Sequence, residues 1–521
     1  MLFKKTFAVI LCLTIFLTCL CACSDHTGNL TAYCQTDQSV QTLDPQLVST
    51  KTEQTVIYNC FDGLMRYDAN GQIIAGAADQ YTVSDDGKTY TFTLRENLVW
   101  SDGETPVTAA DFKYGLTRAV LPETQAPFAS LLFSIENAEE IYSGDQSPDT
   151  LGVQAPNEQT IVIQLTRPDY NFLYTLAHPV AAPCNEAFFL STKGKYGLDD
   201  DSLLCNGAFY LSQWNTENQT IRMVRFSDYV GIDKSALYAA QIAYGAKDET
   251  LITSIKDNEY NLYTSVYADM LTVNNTAYTQ NNFYTTTYAL YISENLQDGQ
   301  ADIHSALIQD VDRTSLRINL PVFLQEASGV IPADSIERGH SYRQQAGAVA
   351  FPVYDTAAAV EQLGNEQSTY TYLSDCTLYY PDNDYARLYA NHIVQTWQRD
   401  LSAYINTQAV TSDEILSGIQ SGEILLAILP VQASNGTAFG AINFLENLGV
   451  VDFQIQNEYT QPDLLSWLQT LKAYEQQLID QYTLLPLFDT PDCYLSDQKI
   501  TQLSFIPYGN LLNFRYIIKE E

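Results

Sequence analysis

Tyr90, Phe92 and Leu94 alternate with Thr91, Thr93 and Arg95, a period of two that predicts a half-buried strand. Turn signals bracket it, Ser84-Asp85-Asp86-Gly87 before and Trp100-Ser101-Asp102-Gly103 after, because Asp and Gly tolerate left-handed backbone. Upstream, Phe61-Asp62-Gly63-Leu64 leads into a further strand with Ala69-Asn70-Gly71 as its turn. Downstream the period changes. Thr108 reads as a helix cap with Asp111 as its capping-box partner, and Phe112 and Leu116 mark the inner face. The unbroken apolar run Ile424-Leu425-Leu426-Ala427-Ile428-Leu429, after a stop at Gly422, predicts a strand buried on both faces. Leu464, Leu468, Leu471 and Leu478 recur at helical spacing from Pro462-Asp463 onwards; a core stripe explains them and leaves them no binding role. Strands and helices interleave, so the body is α/β. Asp85, Asp86, Asp102 and Asp111 resemble a catalytic or metal cluster until each is matched to its turn or cap.

The first segment follows different rules. Lys4 and Lys5 precede a run from Phe7 to Ala22 that carries no charge, and no positive cluster follows it, so it reads as a cleaved leader rather than a spanning helix. Leu20-Cys21-Ala22-Cys23 matches the lipoprotein signal pattern, in which Cys23 is lipidated and becomes the first residue. Residues 1–22 are therefore expected to leave, and residues 24–41, which are polar, to act in part as a flexible tether. Ser24 supplies no inner-membrane retention signal of the aspartate kind, so the type of envelope stays open. An exported protein held on the outer face of a membrane by the Cys23 lipid is the expectation.

Composition narrows the function classes. With 521 residues, 46% of them apolar and 17% charged, the chain can form two to four domains with a sizeable core. The formal charge of −36 argues against nucleic-acid partners, which need Lys and Arg to release counterions, and against docking to anionic lipid through basic patches. Loss of Lys4 and Lys5 with the leader takes it to −38. The five histidines, 26, 178, 304, 340 and 392, include no pair at metal-ligand spacing, and neither metal nor cofactor is expected. There is no G-x-S-x-G elbow, H-E-x-x-H helix or Walker A loop. Beyond the leader and Cys23 lie Cys34, Cys60, Cys184, Cys205, Cys376 and Cys493, too scattered for a small disulfide framework. Cys184 and Cys205 could close a loop or remain two buried thiols, and both readings stay open.

The run Ser84-Asp85-Asp86-Gly87-Lys88-Thr89-Tyr90-Thr91-Phe92-Thr93-Leu94-Arg95, with Val99-Trp100-Ser101-Asp102-Gly103 and Pro106-Val107-Thr108-Ala109-Ala110-Asp111-Phe112, resembles the signature of the oligopeptide/dipeptide/nickel solute-binding family of ABC importers. Thr42-Leu43-Asp44-Pro45, Leu151-Gly152-Val153, Cys205-Asn206-Gly207-Ala208-Phe209-Tyr210-Leu211 and His304-Ser305-Ala306-Leu307 followed by Val311-Asp312-Arg313 resemble later blocks of it. Pro127-Phe128-Ala129-Ser130-Leu131 and His178-Pro179 are similar to its oligopeptide-binding branch. Leu484-Leu485-Pro486-Leu487-Phe488 and Asn513-Phe514-Arg515-Tyr516 look like strands returning to the first lobe.

The resemblance implies a two-lobed periplasmic-binding-protein fold of type II, with an extra α/β domain on the first lobe. Residues 23–50 would be tether and the start of lobe I, 51–205 the extra domain, 206–285 lobe I continued, 286–482 lobe II and 483–521 the return to lobe I. It implies no enzyme, but a monomer that captures oligopeptides between closing lobes and passes them to an ABC permease. The alternative on the same fold is a receptor for a non-peptide solute or a signalling peptide.

By the same resemblance Phe128 is an aromatic wall of the cleft and His178 lies near a side-chain pocket, unless each packs inside its own domain. The abundant tyrosines, Tyr288 among them with Tyr284, Tyr379 and Tyr380, suit a cleft that accepts varied side chains. The family commonly pairs an aspartate, after a tryptophan, with the peptide's amino group. Here the corresponding stretch is Leu429-Pro430-Val431-Gln432-Ala433-Ser434-Asn435-Gly436-Thr437, with Ser434 or Asn435 at the carboxylate position. An ammonium beside a neutral amide forfeits a few kcal/mol, so either another acid supplies the counter-charge or the ligand is longer, blocked or not a peptide.

Overall fold

The computed structural model describes residues 30–231, 235–264, 276–296, 302–318, 323–365, 367–433, 436–455, 463–507 and 509–520. The leader, Cys23, Ser434 and Asn435 lie outside the described residues.

Two long antiparallel strands, Tyr278–Ile292 and Leu484–Asp497, pair along nearly their whole length and carry one mixed sheet across the molecule. On one side of this ribbon follow Leu426–Gln432, Thr377–Pro381 and Asn406–Val410; on the other follow Leu262–Tyr263, Thr31–Gln35, Ala239–Ala243, Thr220–Arg225 and Phe209–Asn215. The two flanks are the two lobes. One apolar cluster fills the first, drawing on residues from Ala32 to Leu262 and again from Tyr494 to Ile517. In the second, successive residues of Leu426–Gln432 point to opposite faces of the sheet: Leu426 and Ile428 enter one cluster, Ala427, Leu429 and Val431 the other. That double burial is what the continuous apolar run encodes. The domain limits expected at 285/286 and 482/483 fall within or at the foot of the ribbon rather than in loops.

The expected local structure is found in lobe I. Thr89–Leu94 buries Tyr90, Phe92 and Leu94 within a four-stranded sheet with Ala78–Val83, Thr160–Gln164 and Val153–Asn157. Gly87 and Gly103 close their turns at φ +70° and +76°, a conformation that only glycine adopts without strain. The Thr108 N–H donates to Asp111 Oδ2 at 2.7 Å at the head of Ala109–Ala119, and Asp102 accepts two loop N–H groups. These acids serve turns and caps, and no cluster of His, Cys, Asp or Glu fit to hold a metal occurs among the described residues.

One expectation is narrowed, one is corrected and one left open is settled. Thr31–Gln35 is not tether but a central strand, paired on both sides. Its polar Gln35 is buried and takes the Ser254 hydroxyl. Asn513-Phe514-Arg515-Tyr516 is a 3₁₀ turn, not a strand, and it delivers Arg515 to the buried Asp62 at 2.6 Å. Cys184 and Cys205 are both buried free thiols; Cys184 Sγ lies 3.6 Å from Arg118 Nη1, whose guanidinium is ion-paired to Asp44.

Candidate functional site

Between the flanks lies a cavity of about 320 Å³. Lobe I contributes Ser49, Lys51 and Gln54, at the start of the helix Lys51–Cys60, with Phe128, Pro507 and Asn510. Lobe II contributes Asp334, Ser335, Gln432, Ala433 and Gly436, and the ribbon supplies Thr285, Thr286 and Asp492 as its floor. The floor sits where the pairing of the two ribbon strands slips, between Tyr284 and Thr286. A larger cavity of about 430 Å³ touches Tyr291, Gln420 and Phe453 and lies in lobe II rather than between the flanks.

Phe128 lines the cavity at the head of the short 3₁₀ turn Ala129–Leu132. His178 does not. It is 3% exposed and sits behind Phe128, edge to face at 4.8 Å. Its Nδ1 accepts the Val180 N–H at 3.1 Å, and burial pushes the imidazole down to about 3, so the ring is neutral and spent on structure. Tyr288 is likewise a lobe II packing residue: its ring stacks on Phe488 at 4.7 Å and its hydroxyl is 3.5 Å from Asn383 Nδ2. Tyr380 is buried in the same cluster and Tyr379 packs on the opposite face.

Polar groups that carried no sequence signal shape the site. Lys51 forms an ion pair with Asp492 from lobe I to the ribbon, and Asp492 also accepts the Thr285 hydroxyl at 2.8 Å. Asp334 is clamped to the other ribbon strand: its N–H donates to the Tyr284 carbonyl at 3.1 Å, and its Oδ2 accepts the Tyr284 N–H at 2.7 Å. Beneath the floor Asp489, 1% exposed, accepts from Thr287 Oγ1 at 2.7 Å and Gln325 Nε2 at 3.1 Å. Burial pushes its carboxyl up to about 7.

A second bridge joins the lobes away from the cavity. The lobe II hairpin Ile336–Glu337 and His340–Ser341 meets lobe I, where Asn171 Nδ2 donates to Glu337 Oε1 at 3.2 Å and Arg338 lies 4.8 Å over the Tyr170 ring. Glu337 is fully buried and also accepts from Phe439 N and Trp467 Nε1, each at 3.0 Å.

The cavity has a backbone edge as well as side chains. Leu426–Gln432 pairs with Thr286–Ile292 on one side, while on the other the described residues pair only at Tyr379↔Ala427. The strand therefore ends at the cavity, which Gln432 and Ala433 line, and the Ala433 carbonyl turns back to accept the Gly436 N–H at 2.9 Å.

Residues 72–446 match the family of bacterial extracellular solute-binding proteins, family 5 (middle region). The chain belongs to this family. Its members bind solutes and are not enzymes, which fits a site made of a cavity between two lobes. Among relatives, it is 33% identical over 231 residues to a dipeptide-binding protein of Lactococcus lactis, covering 43% of this chain and 41% of that one. It is 35% identical over 212 residues to the probable deoxycholate-binding periplasmic protein YgiS of Escherichia coli, covering 40% and 39%. The aligned stretch thus spans about two-fifths of each of these relatives. The solved structure of Listeria monocytogenes OppA bound to peptide superposes with a TM-score of 0.70 at 21% identity, over 95% of this chain and all of that one. The type II two-lobed fold is therefore shared.

Proposed function

We propose that this solute-binding protein captures oligopeptides between its lobes and delivers them to an ABC permease. The observation that carries the reading is the cavity lined from both lobes and floored by the ribbon, with the edge of Leu426–Gln432 running into it. A peptide bound as an added strand satisfies its backbone there whatever its side chains, and closure of the lobes then strengthens each polar contact by excluding water. The relatives with peptide in their names support the choice of ligand. No covalent step is involved. The protein acts as a monomer, held on the outer face of the cell membrane by lipid on Cys23. Cys23→Ala is expected to release it into the medium with its fold intact, as fractionation and circular dichroism would read; a variant still bound to membranes would refute the anchor.

Native mass spectrometry of the body from about residue 29, purified gently from its host, tests the ligand class. A heterogeneous set of co-purified peptide masses is expected. One discrete non-peptide mass, or no mass and no binding from a peptide library, overturns the peptide reading. The second reading, a non-peptide solute receptor, is favoured by the deoxycholate-binding relative and by the neutral Ser434 and Asn435 at the expected carboxylate position.

A further inference from the structure

We propose that Asp334, assisted by the hydroxyl of Ser335, is the anchor in this cavity for a positively charged group of the ligand, an ammonium or guanidinium. This rests on the reading of the cavity as the peptide site and names the group it recognises. Three carboxylates lie at or beneath the cavity, and two are already answered. Asp492 is ion-paired with Lys51 and bonded by Thr285. Asp489 is sealed under the floor with Thr287 and Gln325 on its oxygens. Asp334 is different. The Tyr284 N–H occupies its Oδ2, and among the described residues no Lys, Arg or His lies within ion-pair distance of it, while the side chain opens onto the cavity.

Ser335 supplies an independent observation. It is 3% exposed and lines the same cavity. Its backbone is spent, the N–H donating to the Pro332 carbonyl at 3.0 Å and its carbonyl accepting the Tyr342 N–H at 2.9 Å. Among the described residues its Oγ has no hydrogen-bond partner. Buried hydroxyls are normally paired, so an unpaired one in the wall of a binding cavity points to a partner that arrives with the ligand. A neighbouring carboxylate with one oxygen fixed and one open, and a hydroxyl able to accept, is a receptor for N–H donors carrying positive charge. The walls of the cleft also hold the Asp334 carboxyl above its ordinary range, against the pull of the Tyr284 bond, a penalty that an arriving cation removes. Because Asp334 is clamped to the ribbon from both its N–H and its Oδ2, the anchor is fixed to the element that runs through both lobes. The expected aspartate after a tryptophan is missing from this chain, and Asp334 stands on a different segment.

Titration calorimetry on ligand-stripped, refolded protein tests this with four peptides of one neutral sequence: unblocked, N-acetylated, and each again with an internal lysine. The wild type is expected to bind the unblocked neutral peptide about ten- to a hundredfold more tightly than its acetylated form, the range for a hydrogen-bonded charge. Asp334→Asn is expected to abolish that preference, and Ser335→Ala to reduce it. Glu361→Gln, an exposed acid elsewhere in lobe II, controls for net charge and keeps the preference. Rescue of the acetylated peptide by lysine, lost again in Asp334→Asn, assigns the anchor to side-chain cations rather than the terminus. If folded Asp334→Asn retains the wild-type preference, or the wild type binds all four peptides alike, the anchor is wrong while the peptide reading stands. If the wild type binds none of them, the peptide reading itself fails and takes the anchor with it.

Discussion

Asp489 gives the sharpest test of the energetics beneath the cavity. The side chain is 1% exposed. Burial lifts its carboxyl from an ordinary 3.8 to about 7, assisted by the charge of Asp334 and opposed by the hydrogen bonds from Thr287 and Gln325 and the charge of Arg343. Between those two values the folded protein keeps a proton that the unfolded chain has lost, so stability falls as pH rises through this window. At about 1.4 kcal/mol per unit, the full window is worth about 4 kcal/mol. Asp489→Asn removes the titration and keeps the shape: Thr287 still donates to Oδ1, and the Gln325 amide can turn to accept. Urea unfolding of both proteins, followed at the buried Trp397 and Trp467 of lobe II, yields a difference curve between pH 4.5 and 8.5. His178, buried neutral and destabilising as pH falls below 6.5, is common to both and cancels. The variant is expected to gain about 3 kcal/mol on the wild type across that range. A difference flat to within about 0.5 kcal/mol would show that Asp489 is ionised in the folded state, and the reasoning from burial would fall.

Two further outcomes follow from ion pairs and bridges. Arg515→Met strands Asp62, which is 4% exposed and accepts both Arg515 and the Tyr229 hydroxyl; unfolding free energy at pH 7 is expected to drop by about 3–5 kcal/mol. Burial raises the Asp62 carboxyl, but Arg515, Arg66 and Tyr229 outweigh it and hold the group below its ordinary range. The wild type therefore loses this contribution as pH falls, and the deficit of the variant should shrink in acid. Asn171→Ala with Tyr170→Ala cuts the bridge to Glu337 and Arg338. Small-angle scattering should show a more open ligand-free molecule, with denaturant stability of each lobe within about 1 kcal/mol of wild type; unchanged scattering would remove the bridge from any role in closure.

Where pattern and structure agree, the cause is local or one-dimensional. Period two places Tyr90, Phe92 and Leu94 inside, and the run at Leu426–Leu429 is apolar throughout because both faces of its sheet are covered. The helix Leu464–Asp480 buries Leu468, Leu471 and Leu478 as its spacing requires. It also buries Glu475 at the next position of the same stripe, where Arg343 Nη2 meets it at 2.6 Å. An acid at a leucine position of such a stripe is the sequence mark of a buried ion pair. Composition misled at Thr31–Gln35, where polar residues are buried because the strand is paired on both sides. Of the site, only Phe128 was legible. His178 shares its neighbourhood but faces inward, and Tyr288 lies on the right strand with its ring in a core. Asp334 and Ser335 had no signal at all, since their meaning comes from Tyr284, some fifty positions away in sequence.

The same partition bears on how the protein closes. Each lobe has apolar clusters of its own, so neither depends on the other for its core. What crosses between them, among the described residues, is the ribbon and a few polar contacts, chiefly Asn171 with Glu337 and Arg338 over Tyr170, with Gln72 Nε2 3.5 Å from the Gly339 carbonyl, while Lys51 ties lobe I to the ribbon at Asp492. A part-exposed ion pair adds little, and each hydrogen bond or cation–π contact adds about 0.5–1.5 kcal/mol. The direct bias between open and closed forms is therefore smaller than the roughly 5.5 kcal/mol needed to move a population from one extreme to the other. The remainder has to come from the ligand. On the proposed function, a peptide pairing with the edge of Leu426–Gln432 while touching Phe128 and Lys51 would make contacts to both lobes only in a closed form. Differential contact of that kind is the condition for a ligand to shift the equilibrium. A ribbon continuous through both lobes, its register slipping beside the cavity floor, lets that shift occur without breaking either core.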